Sequence, residues 1–140
     1  MGCDRRDRRR VEIVLDTNML LLIASGLNIF EQIEEKLAIK PVYTVIKPVL
    51  RELEKLAKSS KPSIKKRALL ALEIVKKYCR VVDVEYCERV DDAIIEYAEK
   101  HCVAVATNDR DLRKRLRERG IPEIYLREEG MRIDVEGLEI

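Results

Sequence analysis

Val11-Glu12-Ile13-Val14-Leu15 runs directly into Asp16-Thr17-Asn18, and far downstream Val103-Ala104-Val105-Ala106 runs into Thr107-Asn108-Asp109. Short runs of Val, Ile, Leu and Ala are characteristic of strands buried on both faces of a parallel sheet. In open α/β sheets, ligands bind outside the carboxyl ends of such strands. Two carboxylates delivered to that edge make a poor hydrophobic core but a good seat for a divalent cation.

Working outward, strand-like and helix-like segments alternate. After the first strand (11–16), Met19 to Ser25 reads as a short, nearly all-apolar helix ended by Gly26, either core or a dimer interface. Asn28 is placed to cap a helix from Ile29 to Leu37. Pro41 to Ile46 is a second strand, and Pro48 suits the first turn of a helix through Ala57. Lys58 to Pro62 is a polar break before a longer helix, Ser63 to Tyr78, with Leu69, Leu72 and Val75 expected in the core. A strand over 81–84, a helix over 90–101, the strand 103–106, a charged helix over 109–119 and a strand over 123–126 follow. A last strand is expected around Met131 to Val135. This alternation predicts a three-layer α/β/α sandwich with a central, mostly parallel sheet. Residues 1–10, five of them Arg, read as a flexible basic arm, leaving 11–140 as a single domain.

Composition narrows the possibilities. At 140 residues, 46% of them hydrophobic, the chain can bury a real core. With 39% charged residues, its surface reads as a web of ion pairs, and a net charge of +2 predicts no partner by itself. No stretch approaches a membrane span and no apolar region follows the first arginines, so a soluble cytoplasmic protein is expected. Cys3, Cys79, Cys87 and Cys102 form no C-x-x-C pair, and with one histidine, His101, they make no zinc site. A disulfide between Cys79 and Cys87 is disfavoured in the cytosol.

Further acids join the strand-end pair: Glu52 in the early turns of the Pro48 helix, and Asp91-Asp92 opening the helix before the 103–106 strand. Helices that follow parallel strands begin at the carboxyl edge, so carboxylates in their first turns converge there. Taken singly, each is also what a helix start favours electrostatically.

These residues carry a resemblance. Val14 to Leu20, Val49 to Leu56, Asp91 to Ile95 and Ala106 to Leu112 resemble, in order, the motifs of the PIN-domain ribonucleases (PilT N-terminal domain). That family includes the VapC-type toxins and the PIN endonucleases of ribosomal RNA processing. The closing Gly120 to Leu126 segment is similar to the rRNA-processing branch and its archaeal relatives. The resemblance implies a divalent-metal-dependent endoribonuclease in which Asp16, Glu52, one of Asp91 and Asp92, and Asp109 hold Mg²⁺ or Mn²⁺. Family spacing favours Asp92, whereas the helical wheel puts Asp91 nearer the buried seam; both are kept, with Asp92 preferred. Asn18 is expected to orient Asp16 or a water of the cation, Thr107 to support as a hydroxyl, and Asp111 to serve as a lesser ligand. RNA is the implied substrate, and an antitoxin, a ribosome-assembly factor or a second copy of the chain the implied partners.

The chemistry agrees with this. Phosphodiester hydrolysis needs an activated water and neutralisation of charge on phosphate and leaving oxygen, which hard cations on oxygen ligands supply. Positive charge is plentiful on the 109–119 helix, where Arg113, Lys114 and Arg117 are expected to meet RNA. Lys61, Lys65, Lys66 and Arg67 read equally well as RNA-binding or as ion-paired surface. With 4% aromatic residues and no Trp, base stacking is a weak source of affinity. A haloacid-dehalogenase-type phosphatase would want an acid where Asn18 stands, and no Gly-rich loop supports a nucleotide-binding fold. The rival from another class is a non-catalytic PIN-like module that binds RNA or protein.

Overall fold

The computed structural model describes residues 11–138; the basic arm expected over 1–10 lies outside them. The elements run β1 (Glu12–Leu15), α1 (Thr17–Ala24), α2 (Ile29–Leu37), β2 (Val42–Ile46), α3 (Lys47–Leu56), α4 (Pro62–Tyr78) and β3 (Cys79–Val82). They continue with α5 (Val90–His101), β4 (Ala104–Ala106), α6 (Arg110–Glu118), β5 (Glu123–Arg127), a 3-10 turn (Glu129–Met131) and β6 (Arg132–Glu136). One sheet has the order β3-β2-β1-β4-β5-β6, parallel throughout except for β6, which is antiparallel to β5.

That order follows from the handedness of parallel crossovers. From β1 the chain moves outward through β2 to β3, then returns past β1 to lay down β4 and β5 on the other side. Right-handed connections therefore put α1, α2 and α4 on one face and α5 and α6 on the other. α3 touches both α1 and α4 from the first layer and α5 from the second, so it lies across the carboxyl end of the sheet. The reversal between β1 and β4 makes a crevice at their carboxyl ends, the place where such sheets bind ligands.

The core is the expected one in kind. Ile13, Val14 and Leu15 are fully buried, sandwiched by Met19, Leu20, Ile29 and Ile33 on one side and Ile94, Leu112 and Leu116 on the other. Met19 and Leu20 are completely inside, and Leu21 to Ile23 are partly buried against the core, so α1 is core material first. No described helix is long and apolar enough to cross a membrane.

Three local expectations are corrected. β3 begins at Cys79 and ends at Val82 instead of spanning 81–84, because Arg80 belongs in the strand: its guanidinium bonds Glu12 on β1 at 2.8 Å. Glu12 also accepts from Thr44 and Tyr97, which together with Arg80 hold its carboxyl below the usual range against the effect of burial. On α4, Leu69 is 47% exposed and the buried stripe is Ala68, Ala71 and Val75. The run Ala68 to Leu72 is apolar all round, so periodicity could not choose its face, and the small side chains took the inner one. Asn28 precedes α2 but does not cap it with its side chain. Its carbonyl oxygen accepts from Gln32, whose amide also bonds Met131 O and Ile133 N and so ties α2 to the outer edge of β6.

Candidate active site

Register places the first two acids. Leu15 pairs with Ala106, which sets Asp16 beside Thr107 at the end of the neighbouring strand. Asp16 turns the chain out of the sheet: its Oδ1 accepts from Met19 N at 2.7 Å, capping α1, and its Oδ2 accepts from the fully buried Thr107 hydroxyl. The same Thr107 oxygen accepts from Asp109 N at 3.1 Å. Asp109 in turn caps α6 through Leu112 N at 2.9 Å. A single hydroxyl thus joins the two strand ends and fixes both carboxylates. Asn108, between them, exchanges two hydrogen bonds with the backbone of Leu126 (2.9 and 2.8 Å), holding the β4–α6 loop to β5 as a ladder rung would.

Glu52 arrives from α3 and accepts from the Thr17 hydroxyl at the start of α1. Asp91 arrives from the first turn of α5. Together Asp16, Thr17, Asn18, Glu52, Asp91 and Asp109 line an open cleft of about 360 Å³, walled by Leu56, Val90 and Ile94, with Lys55 its one cation among the described residues.

The electrostatics are those of crowded acids. Burial pushes the Asp16 carboxyl up to about 6, and Asp91 and Asp109 push the same way, against the Thr107 and Met19 hydrogen bonds. Asp91 is also raised, by burial first and then by Asp109, with Arg89 and Arg115 opposing. The carboxylates do not close into a ready-made cage: among the described residues, no three acidic, Cys or His side chains form a metal-binding group as they stand. An all-oxygen donor set with open space between its members nonetheless suits Mg²⁺ or Mn²⁺. Mg²⁺ keeps several waters and takes only one or two carboxylates plus substrate oxygens.

Other expected site residues stand elsewhere. Asp92 is turned out of the cleft and bonds Arg115 at 2.7 Å, so Asp91 is the member of that pair brought to the site. Asn18 lines the cleft, but Asp16 takes its hydrogen bonds from Met19 and Thr107. Asp111 is exposed in the first turn of α6 and does not line the cleft. Arg113 and Arg117, expected to meet RNA, both reach Glu123 on β5, which is 1% exposed; Arg113 also lies over the Tyr125 ring at 3.6 Å. Lys114 alone of that trio is exposed without an acidic partner among the described residues. Glu123→Ala should therefore behave as a core lesion and cost about 3 kcal/mol in urea denaturation. A loss below about 1 kcal/mol would show that the arginines are not anchored there.

Comparison with known proteins gives the architecture a family. The description "PIN like domain" matches residues 13–129, nearly all of the described chain. The chain belongs to the PIN-like domain family. Ribonuclease VapC4 of Methanocaldococcus jannaschii is 37% identical over 121 residues, covering 84% of this chain and 91% of that one. The rRNA-processing protein fcf1 of Schizosaccharomyces pombe is 27% identical over 87% of this chain and 62% of its own. Among solved structures, the PIN domain endonuclease Utp24 superposes with a TM-score of 0.72 at 29% identity, covering 91% of this chain and 92% of that one. These relatives support reading the chain as a PIN nuclease. Thr17, Lys55 and Asn108 are the site residues that the sequence reading passed over. Only Lys55 carried a signal, one helical turn beyond Glu52 on α3.

Proposed function

We propose that this PIN-like domain is a divalent-metal-dependent endoribonuclease that hydrolyses RNA phosphodiester bonds in the carboxylate cleft. One observation carries the reading: Asp16, Glu52, Asp91 and Asp109, from four separate segments, line one open cleft at the β1/β4 crevice. Burying like charges together weakens a fold, so their gathering points to a positively charged ligand. The names of VapC4 and fcf1 support RNA as the substrate, and leave an antitoxin or a ribosome-assembly partner as the two settings.

In this reading a bound Mg²⁺ or Mn²⁺ supplies the Lewis acidity that neutralises charge on the phosphate and leaving oxygen. The protein's residues do the rest. Asp16 and Asp109, fixed through Thr107, would hold the cation, with Glu52 and Asp91 of the same cleft as its further carboxylates. No imidazole lines the cleft, so the attacking water gives its proton to a carboxylate. Asp91 is suited to that role in its ionised form, since burial and then Asp109 raise its carboxyl above the ordinary value and so make it a stronger proton acceptor.

The test is incubation of the chain with structured and single-stranded RNA in Mn²⁺ and in excess EDTA, reading cleavage and the chemistry of the new ends. Cleavage in Mn²⁺ that EDTA stops is the expected result. RNA cut equally well in EDTA, or bound but never cut, overturns the proposal.

A further inference from the structure

The helix expected to hold RNA has spent most of its charge. Arg113 and Arg117 are paired with Glu123, Arg115 with Asp92 and Arg119 with Glu99. The junction between α3 and α4 is the opposite case. Lys55, Lys58, Lys61 and Lys65 are all exposed, and none pairs with an acid among the described residues. We propose that the RNA strand runs out of the carboxylate cleft along these four lysines, which meet its successive backbone phosphates.

Three features argue for the path. Continuity is the first: Lys55 lines the cleft itself, and Lys58 follows it by one turn, bonding back through Lys58 N to Lys55 O. α4 ends by entering the amino end of β3, so its start lies on the same side of the sheet as the cleft. Lys58 and Lys61 stand on the connection between the two helices and Lys65 in the opening turns of α4, so the four follow one another along the chain outward from the cleft.

The second feature is electrostatic. α4 opens with no acid in its first turn and no side-chain cap, and carries Lys65, Lys66 and Arg67 just inside. Cations at the positive end of a helix dipole are unfavourable, each by about 0.3–1 kcal/mol at an exposed site. Glu31 opens α2, Asp91 and Asp92 open α5 and Asp109 caps α6, whereas α3 and α4 both open without an acid. The Lys47 that opens α3 pairs with Asp83, and the cations that open α4 have no such partner among the described residues. The cost at α4 is relieved when a polyanion lies across its start. The third feature is the cleft lining, which contains no aromatic ring and so leaves the backbone as the part of the strand to be held.

The inference rests on the nuclease reading for the identity of the strand, but its test is separate. Binding of a short labelled single-stranded RNA is followed by anisotropy across a salt series in the non-cutting Asp16→Asn chain. Parallel chains add either Lys58→Gln/Lys61→Gln/Lys65→Gln or Arg110→Gln/Lys114→Gln. Each lost phosphate contact lowers the slope of log affinity against log salt by about 0.7, so the triple change is expected to remove about 2. Its affinity should fall at least about tenfold, with no drop in melting temperature, since cations leave a helix start. An unchanged slope, or a larger loss from the α6 pair, overturns the path. Weakened binding of poly-glutamate with RNA binding intact overturns it in favour of an acidic protein partner. Cleavage in Mn²⁺ by the wild type, with the triple binding normally, defeats the path alone; a working path in a chain that cuts nothing defeats the nuclease alone.

Discussion

Asp16→Asn is expected to abolish cleavage while leaving the metal-free chain at least as stable as the wild type at pH 7. The two halves of this result have one cause. Asp16 is 6% exposed, and burial with two acidic neighbours holds its carboxyl up to about 6. Near pH 7 the chain therefore carries a buried negative charge that the fold by itself disfavours. Asparagine keeps most of the geometry: its oxygen can still cap α1 through Met19 N, and its amide can donate to the Thr107 oxygen, which still accepts from Asp109 N. The Thr107 proton that Asp16 accepted must then turn away, a smaller loss than the buried charge removed. What disappears is the charge that holds the cation. Removing a partner that merely orients a metal ligand costs about 10–100-fold, so removing a ligand's charge should cost at least about a hundredfold. Initial rates on labelled RNA and thermal melts of the apo chains, at matched pH, measure both halves. A mutant cutting within about tenfold of wild type would take Asp16 out of the chemistry. One that cuts nothing because it melts far lower would reduce Asp16 to a capping residue.

The legible part of this protein is local, and the illegible part depends on packing across the sheet. The strand-end acids could be read because a buried strand shows as a run of Val, Ile and Ala and its end shows as a change of character. α5 was read to the residue, since Val90 to His101 keeps one apolar face bounded by acids at one end and Lys100-His101 at the other. Which of Asp91 and Asp92 faces the cleft was a different kind of question. It turns on helix rotation: the helical wheel pointed to Asp91, family spacing to Asp92, and Asp91 is the one that lines the cleft while Asp92 pairs with Arg115. Glu123 reads as one more surface charge in sequence, yet β5 buries it, and that burial captures Arg113 and Arg117 from any outside partner. The β1/β4 crevice depends on strand order, which the alternation of elements does not specify. Lys55 was within reach of sequence reasoning, one turn from Glu52, but its meaning appears only when Arg113, Arg115 and Arg117 of α6 are seen to be engaged by acids.

Millimolar Mn²⁺ should raise the melting temperature of the wild type, and the gain should grow between pH 5 and pH 7. The direction follows from proton linkage. The folded chain holds the Asp16 proton up to about pH 6, whereas the unfolded chain releases it near the ordinary value of 3.8. Between those values the folded state binds more protons, so apo stability falls as pH rises through the window, by on the order of 2–3 kcal/mol for this group at most. Below about pH 4 the contribution is absent, and above pH 6 the penalty is complete. A cation reverses the trend, because it binds the ionised carboxylate and must compete with the proton at low pH. At about ten times its dissociation constant, a ligand specific to the folded state adds about 1.4 kcal/mol, or about 4–6 °C for a domain of this size. The apo melting curve should thus decline from pH 4 to 6 while the Mn²⁺ curve stays nearly level. In Asp16→Asn the decline should shrink to the part that the raised Asp91 carboxyl contributes, and most of the metal effect should go with it. Equal Mn²⁺ shifts in wild type and mutant would place the cation away from Asp16, and an apo chain that gains stability from pH 4 to 6 would contradict the buried charge itself.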